Sequence, residues 1–198
     1  AGSIMGSGGM VVMDEETCMV DTARYFLAFC RDESCGKCVP CREGLPLMVD
    51  VLERITGGKG KPEDIDRLLE MSDTVIKCAL CGLGTTAPNP VLSSIRYFRD
   101  EWEAHVNEKR CPALVCKALI SFYILPDKCA GCGICARACP ADAITGGKRM
   151  VHIIDQAKCI KCGTCLDKCP TKFSAIKKVS AETVEVPKEP IPVAAGVK

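Results

Sequence analysis

KCAGCGICARACP at residues 128–140 and KCIKCGTCLDKCP at residues 158–170 are the stretches that decide how this chain folds. Each carries three cysteines separated by two residues, a fourth after three more, and then proline. They are Cys129, Cys132, Cys135, Cys139 and Pro140 in the first, and Cys159, Cys162, Cys165, Cys169 and Pro170 in the second. Three thiolates at such gaps wrap three corners of one iron–sulfur cubane, and the fourth, set apart by the longer gap and the proline, reaches the other cubane. The spacing therefore assigns Cys129, Cys132, Cys135 and Cys169 to one [4Fe–4S] cluster, and Cys159, Cys162, Cys165 and Cys139 to a second. Paired cysteines lie 30 residues apart throughout, so the segment is an internal duplication with pseudo-twofold symmetry. A pair of zinc knuckles is the competing reading, and two complete patterns with both prolines weigh against it.

The rest of the composition agrees with a metal-loaded chain. Seventeen cysteines in 198 residues would be a disulfide framework in a short secreted domain, but the count is odd and most fall in CxxC steps. The formal net charge of +1 misleads, because ligating thiols are deprotonated. Three clusters at about −2 each bring the loaded chain to roughly −5. Aromatic residues are only 5% and charges of both signs are interspersed, which excludes a basic or stacking surface for nucleic acid. No apolar run approaches a membrane span and no secretory pattern opens the chain, so a cytoplasmic location is expected. The chain does not begin with methionine and reads as a piece of a longer polypeptide. Its GSGG run (residues 6–9) has the composition of a phosphate cradle, but with no helix directly following it reads as a plain loop.

Four helical patterns come next. Val20, Ala23, Leu27 and Cys30 recur at helical spacing. From Val39 to Thr56, Leu45, Met48, Val49, Leu52 and Ile55 form an apolar stripe that Gly57 and Gly58 end. Pro62 opens a third helix containing Ile65, Leu68, Leu69, Val75 and Ile76. Pro90 opens a fourth, in which Val91, Leu92, Ile95, Phe98, Trp102 and Val106 hold the period to about Arg110. Short connections between amphipathic helices predict an antiparallel bundle. Residues 119–125 and 150–154 predict short strands around the cysteine-rich loops. The expected fold is thus α+β. An antiparallel four-helix bundle carrying one [4Fe–4S] cluster (residues 16–110) leads through a junction (111–117) to a two-cluster domain (118–179), and residues 180–198 form a proline-punctuated flexible tail.

The bundle's cluster rests on SCGKCVPCREG, residues 34–44, with Cys35, Cys38 and Cys41 at the same two-residue gaps. A fourth thiolate is needed, and spacing leaves Cys81 in LCGLG and Cys78 both open. Gly82 and Gly84 would let backbone pass close to a cluster. Lys37, Arg42, Lys161 and Lys168 lie near cluster cysteines, where charges bias potentials, although a solvated surface is their commoner role. His105, Cys111 and Cys116 supply three soft ligands within twelve residues, and one more thiolate would complete a Cys3His zinc site. Against this stands a plain core histidine beside small apolar cysteines. Cys30 and Cys78 read as core residues, and His152 as a surface or half-buried side chain in an alternating strand.

Residues 118–178 resemble the bacterial two-cluster ferredoxin. TCMVD (17–21), SCGKCVPCREG (34–44), LCGLG (80–84) and APNPVLSSIRYFRDEW (87–102) resemble the C-terminal part of the NADH-binding flavin subunit of complex I. That resemblance implies Cys35, Cys38, Cys41 and Cys81 as ligands of one [4Fe–4S] cluster that receives electrons from a flavin. Such flavin subunits with an appended ferredoxin resemble the beta subunits of soluble NAD(P)-linked [FeFe]-hydrogenases, electron-bifurcating ones among them, and of NAD-dependent formate dehydrogenases. The hydrogenase resemblance implies Cys18 as the fourth zinc ligand, with Cys30 the alternative. It also implies FMN and NAD(P) sites in an upstream part, of which residues 1–15 would be the end. The implied partners are a hydrogenase catalytic subunit, a small [2Fe–2S] subunit and soluble ferredoxin. A reading of another class is a non-redox zinc scaffold.

Overall fold

The computed structural model describes residues 8–194; the first half of the GSGG run and part of the expected flavin-domain remnant fall among residues 1–7, outside that range. The chain divides into two compact units between Leu119 and Ile120.

The first unit is helical. Its longer helices are α1 (Met19–Asp32), α2 (Val39–Arg54) and α3 (Glu63–Cys78). They are followed by α4 (Gly82–Thr86), α5 (Asn89–Tyr97) and α6 (Arg99–Glu103). The apolar stripes read from the sequence face one core: Val20, Leu27, Leu45, Met48, Val49, Leu52, Ile55, Leu68 and Val91 are all at 0% exposure. Burying each such aliphatic side chain contributes about 1.5–3 kcal/mol. α1 packs on α2 and α5, and α2 packs on α3. At Ile55 the chain leaves α2 through a wide turn, Ile55–Lys59, where Gly58 takes φ 76°.

The expected fourth helix is not continuous. It breaks at Phe98 (φ −132°, ψ 41°), restarts as α6, and ends in a second wide turn over Ala104–Glu108. Asp100 and Glu101 sit in the first turn of α6, where negative charge suits the helix dipole. Trp102, Ala104, His105 and Val106 are buried, but Phe98, counted in the apolar stripe, is exposed.

The second unit contains β1 (Ile120–Ile124), α7 (Ile134–Arg137), β2 (Ile144–Thr145), β3 (Ile153–Ile154), α8 (Thr164–Lys168) and β4 (Ile176–Ser180). β1 pairs antiparallel with β4, from Ile120 opposite Ser180 to Ile124 opposite Ile176. β2 pairs antiparallel with β3, with Ile144 opposite Ile154. The strand opening each repeat therefore pairs with the strand closing the other. β1 alternates as a half-buried strand should, with Ile120, Phe122 and Ile124 inward. The tail expected to be flexible after residue 180 is tied back in part. Val151 N–H donates to Ile191 O at 2.7 Å, and Val193 N–H donates to Arg149 O at 3.1 Å.

One ion pair fixes the α2–α3 turn. The Asp64 carboxylate accepts hydrogen bonds from Arg54 and from Lys61 N–H, the latter at 2.8 Å. Burial would raise this carboxyl, but those bonds and the charges of Arg54 and Arg67 hold it below its usual range. Its contribution is present above the ordinary carboxylate pKa and is lost as pH falls through the lowered native value. Asp64→Asn should cost about 1–3 kcal/mol at pH 7, read as a lower denaturation midpoint by circular dichroism. An unchanged midpoint would mean the pair is only surface decoration.

Candidate metal centres

The exchange of strands in the second unit carries the fourth cysteine of each run across to the other. One cavity is lined by Cys129, Cys132, Cys135 and Cys169, together with Ile124 and His152. Its counterpart is lined by Cys159, Cys162, Cys165 and Cys139, together with Ile154 and Phe122. Gly133 and Gly163 precede α7 and α8 with φ of 72° and 82°, turning each cysteine loop into its helix. Burial, followed by the charges of Cys129, Cys132 and Cys165, pushes the Cys135 thiol up to about 12. Burial and then Cys159 and Cys162 push Cys165 up to about 11, with the Leu166 N–H opposing. Thiols so placed resist ionising together, and iron would supply the positive charge that lets four thiolates share an apolar pocket. The donor set fits a [4Fe–4S] cluster in each cavity. His152, expected at or near the surface, is instead 3% exposed and faces the first cavity.

In the first unit, Cys38 caps α2, Cys41 lies in its first turn and is buried, and Cys35 and Cys81 are exposed. Cys78, expected in the core, is exposed as well. The backbone N–H groups of Leu80 and then of Cys41 stabilise the Cys38 thiolate and lower its pKa. Gly84 makes a close approach in the same place: a β-carbon there would lie 2.4 Å from Ala79 Cβ and 3.7 Å from Cys41 Cβ. The loop bearing Cys81 thus folds onto Cys38 and Cys41 through its neighbours on both sides. Ser34 Oγ lies 3.1 Å from Cys41 Sγ, and Arg42 donates to Gly36 O at 2.9 Å, so Arg42 braces the cysteine loop. The partnering of Leu80 N–H and Ser34 with these cysteines has no signal in the spacing.

A third kind of centre lies at the end of the helical unit. Cys18, His105, Cys111 and Cys116 are all buried, with their ligand atoms within 4.8 Å of one another. Cys18 is the N-cap of α1, whereas Cys30, the alternative, lies on that helix about three turns further along and outside the group. Cys18 Sγ is 3.7 Å from Cys116 Sγ, and each is 3.4 Å from His105 Nε2. A tetrahedral zinc has edges of about 3.8 Å between sulfurs and about 3.6 Å between sulfur and nitrogen. His105 Nδ1 donates to Glu101 O at 2.7 Å, which turns Nε2 inward as a metal-ligating imidazole requires. Burial would lower this imidazole, but hydrogen bonds to Cys111 and Cys18 push it up to about 10. Hydrogen bonds from Cys116 and Cys18 pull Cys111 below its usual range. Three soft sulfurs and one oriented nitrogen at these separations are a donor set that fits a zinc ion.

Comparison with known proteins finds two iron–sulfur family models along the chain. Residues 21–105 match the family model of the NADH-ubiquinone oxidoreductase-F iron-sulfur binding region, and residues 128–174 match that of the 4Fe-4S dicluster domain. Over 150 residues the chain is 56% identical to NADP-reducing hydrogenase subunit HndC of Solidesulfovibrio fructosivorans, covering 76% of this chain and 31% of that one. The chain matches the C-terminal iron–sulfur part of a hydrogenase subunit of this kind. It is also 46% identical over 112 residues to the F subunit of NADH-quinone oxidoreductase from Mycobacterium bovis, covering 57% of this chain and 25% of that one. A solved NAD+-reducing [NiFe]-hydrogenase in the H2-reduced state aligns at 34% identity and TM-score 0.47, over 48% of this chain and 16% of that one. The chain thus spans about a third or less of the length of these relatives. Among the described residues no helix is long and apolar enough to cross a membrane.

Replacing Cys81 by serine should remove about four irons per chain and leave the ferredoxin pair's signals intact. Cys78→Ser should keep full iron. The reverse outcome would make Cys78, the last residue of α3, the fourth ligand.

Proposed function

We propose that this chain is an electron relay holding three [4Fe–4S] clusters and one zinc, within the flavin-bearing subunit of an NAD(P)-linked hydrogenase. The observation that carries it is the set of two four-cysteine cavities crossed between repeats, joined in one chain to the iron–sulfur motif of the NADH-oxidising family. Bound in these sites, the clusters take up and release single electrons. Cys35, Cys38, Cys41 and Cys81 would hold the cluster nearest the flavin. The ferredoxin unit would hold the other two, through Cys129, Cys132, Cys135 and Cys169 and through Cys159, Cys162, Cys165 and Cys139. Cys18, His105, Cys111 and Cys116 would hold the zinc, which has no redox chemistry of its own.

In this reading the protein's own work is to exclude water from the cavities, to direct backbone N–H groups at sulfur, and to place charge. FMN and NAD(P) would bind an upstream part of such a subunit. A hydrogenase catalytic subunit, a small [2Fe–2S] subunit and soluble ferredoxin are the proposed partners, and bifurcation would be a property of that whole complex. Similarity to an NADP-reducing hydrogenase subunit favours a hydrogenase over a formate dehydrogenase partner. The two iron–sulfur matches weigh against a zinc-only scaffold.

Anaerobically prepared protein should contain about twelve irons, twelve acid-labile sulfides and one zinc per chain. Eight irons or fewer after full reconstitution would contradict the three-cluster relay. His105→Ala should lose the zinc while iron stays near wild type, and protein free of zinc when purified without chelators would return His105 to a plain core role. The segment alone should not oxidise NADH yet should pass electrons from dithionite to an artificial acceptor. NADH oxidation without added flavoprotein would contradict relay-only function.

A further inference from the structure

The two ferredoxin cavities are equivalent by repeat but not by chemistry. Counting back 30 residues places His152 of the second repeat opposite Phe122 of the first. The structure keeps that equivalence in space, because His152 lines the cavity of Cys129, Cys132, Cys135 and Cys169, and Phe122 lines the other. A β-carbon built on Gly133 would lie 3.7 Å from His152 Nε2, and one on Gly163 would lie 3.7 Å from Phe122 Cζ. The two ring tips thus occupy matching positions beside matching loops, one a hydrocarbon edge and the other a nitrogen.

The imidazole is oriented rather than merely buried. Its Nδ1 donates to Met150 O at 3.0 Å, since a carbonyl can only accept. Gly146 packs closely against the imidazole: a β-carbon there would come within 2.6 Å of His152 Cγ and 2.7 Å of Cδ2. Nε2 is left towards the cysteine loop, with no hydrogen-bond partner among the described residues. With Nδ1–H given to Met150 O, a second proton on Nε2 would make the ring an imidazolium, and a negatively charged cluster in this cavity is the partner that would hold that proton in place of a lone pair. Of the charged side chains nearby, Arg137 of α7 stands over Gly133, its Nη1 3.3 Å from the built β-carbon. In the second repeat, Lys161 Nζ donates to Gln156 Oε1 at 2.6 Å and to Ser121 Oγ at 3.4 Å.

We propose that His152 is a positioning residue that donates Nε2–H to the cluster held by Cys129, Cys132, Cys135 and Cys169, and thereby raises that cluster's reduction potential. Phe122 offers the other cluster no donor, so the repeat-related pair is split into two unequal electron sites. A hydrogen bond to sulfur stabilises the added negative charge of the reduced state, and a buried one acts with little screening. The inference rests on the two-cluster reading of this unit.

EPR-monitored redox titration of the full chain tests it. His152→Phe should shift one ferredoxin midpoint downwards and leave the other in place. Phe122→His should shift the other midpoint upwards. His152→Gln, which restores an N–H donor, should recover part of the lost potential. Iron content and both reduced-cluster signals, measured on wild type and variants, distinguish failure of this inference from failure of the cluster assignment. Loss of the signals from wild type would overturn the cluster reading itself. Intact clusters with unmoved midpoints, or both midpoints moving together in either single variant, would overturn the role of His152. If His152→Phe does not load iron, Phe122→His still decides: an unmoved midpoint there rejects the proposal.

Discussion

The cost of gathering thiolates in partly buried cavities, burial first and mutual repulsion second, is the constraint on which the rest of this molecule depends. Each cysteine cavity is lined by four cysteines among largely apolar side chains, and in that setting Cys135 is pushed up to about 12 and Cys165 to about 11. At the Cys3His centre the same conflict is resolved differently, with His105 raised to about 10 beside a lowered Cys111. In both cases a metal would replace protons as the source of positive charge, so metal binding and folding would share one free energy. This explains how a unit with strands of two and five residues can be specified at all. Its hydrophobic core is small, and iron would do the crosslinking that a larger core otherwise does.

The crossing of the repeats follows from the same constraint. A run of three cysteines and a displaced fourth cannot close a cubane alone, so each half must lend its last cysteine to the other. β1 with β4 and β2 with β3 make the same exchange in backbone hydrogen bonds. In the proposed reading ligation and strand pairing would enforce one another, and neither half would be complete without its twin. Duplication also leaves room for divergence at single positions, as at Phe122 and His152, without disturbing the exchange.

Features carried by local spacing are legible in the sequence. The cysteine runs, the 30-residue repeat and the core stripes of α1, α2 and α3 all follow from periodicity. The break at Phe98 does not, because Ile95, Phe98, Trp102 and Val106 keep a helical count across it while the backbone turns Phe98 outward. His152 sits in an alternating strand pattern that suggests half-exposure, whereas the close approach of Gly146 and its place in the first cavity's lining bury it. Comparing the repeats residue by residue points to it, since its counterpart Phe122 alternates inward. The joining of Cys18 to His105 and Cys116 spans 87 and 98 residues, a distance over which spacing carries no information. There the resemblance to hydrogenase subunits points to Cys18 where the residues alone leave Cys30 open.

Three separate one-electron sites in one chain are the centre of the proposed function. Spin quantitation of the fully reduced, anaerobic protein by low-temperature EPR measures them most directly. Three reduced [4Fe–4S] clusters should give about three unpaired spins per chain, with magnetic coupling between the ferredoxin pair. Complete reduction yielding only two spins, both from the coupled pair, would contradict the relay.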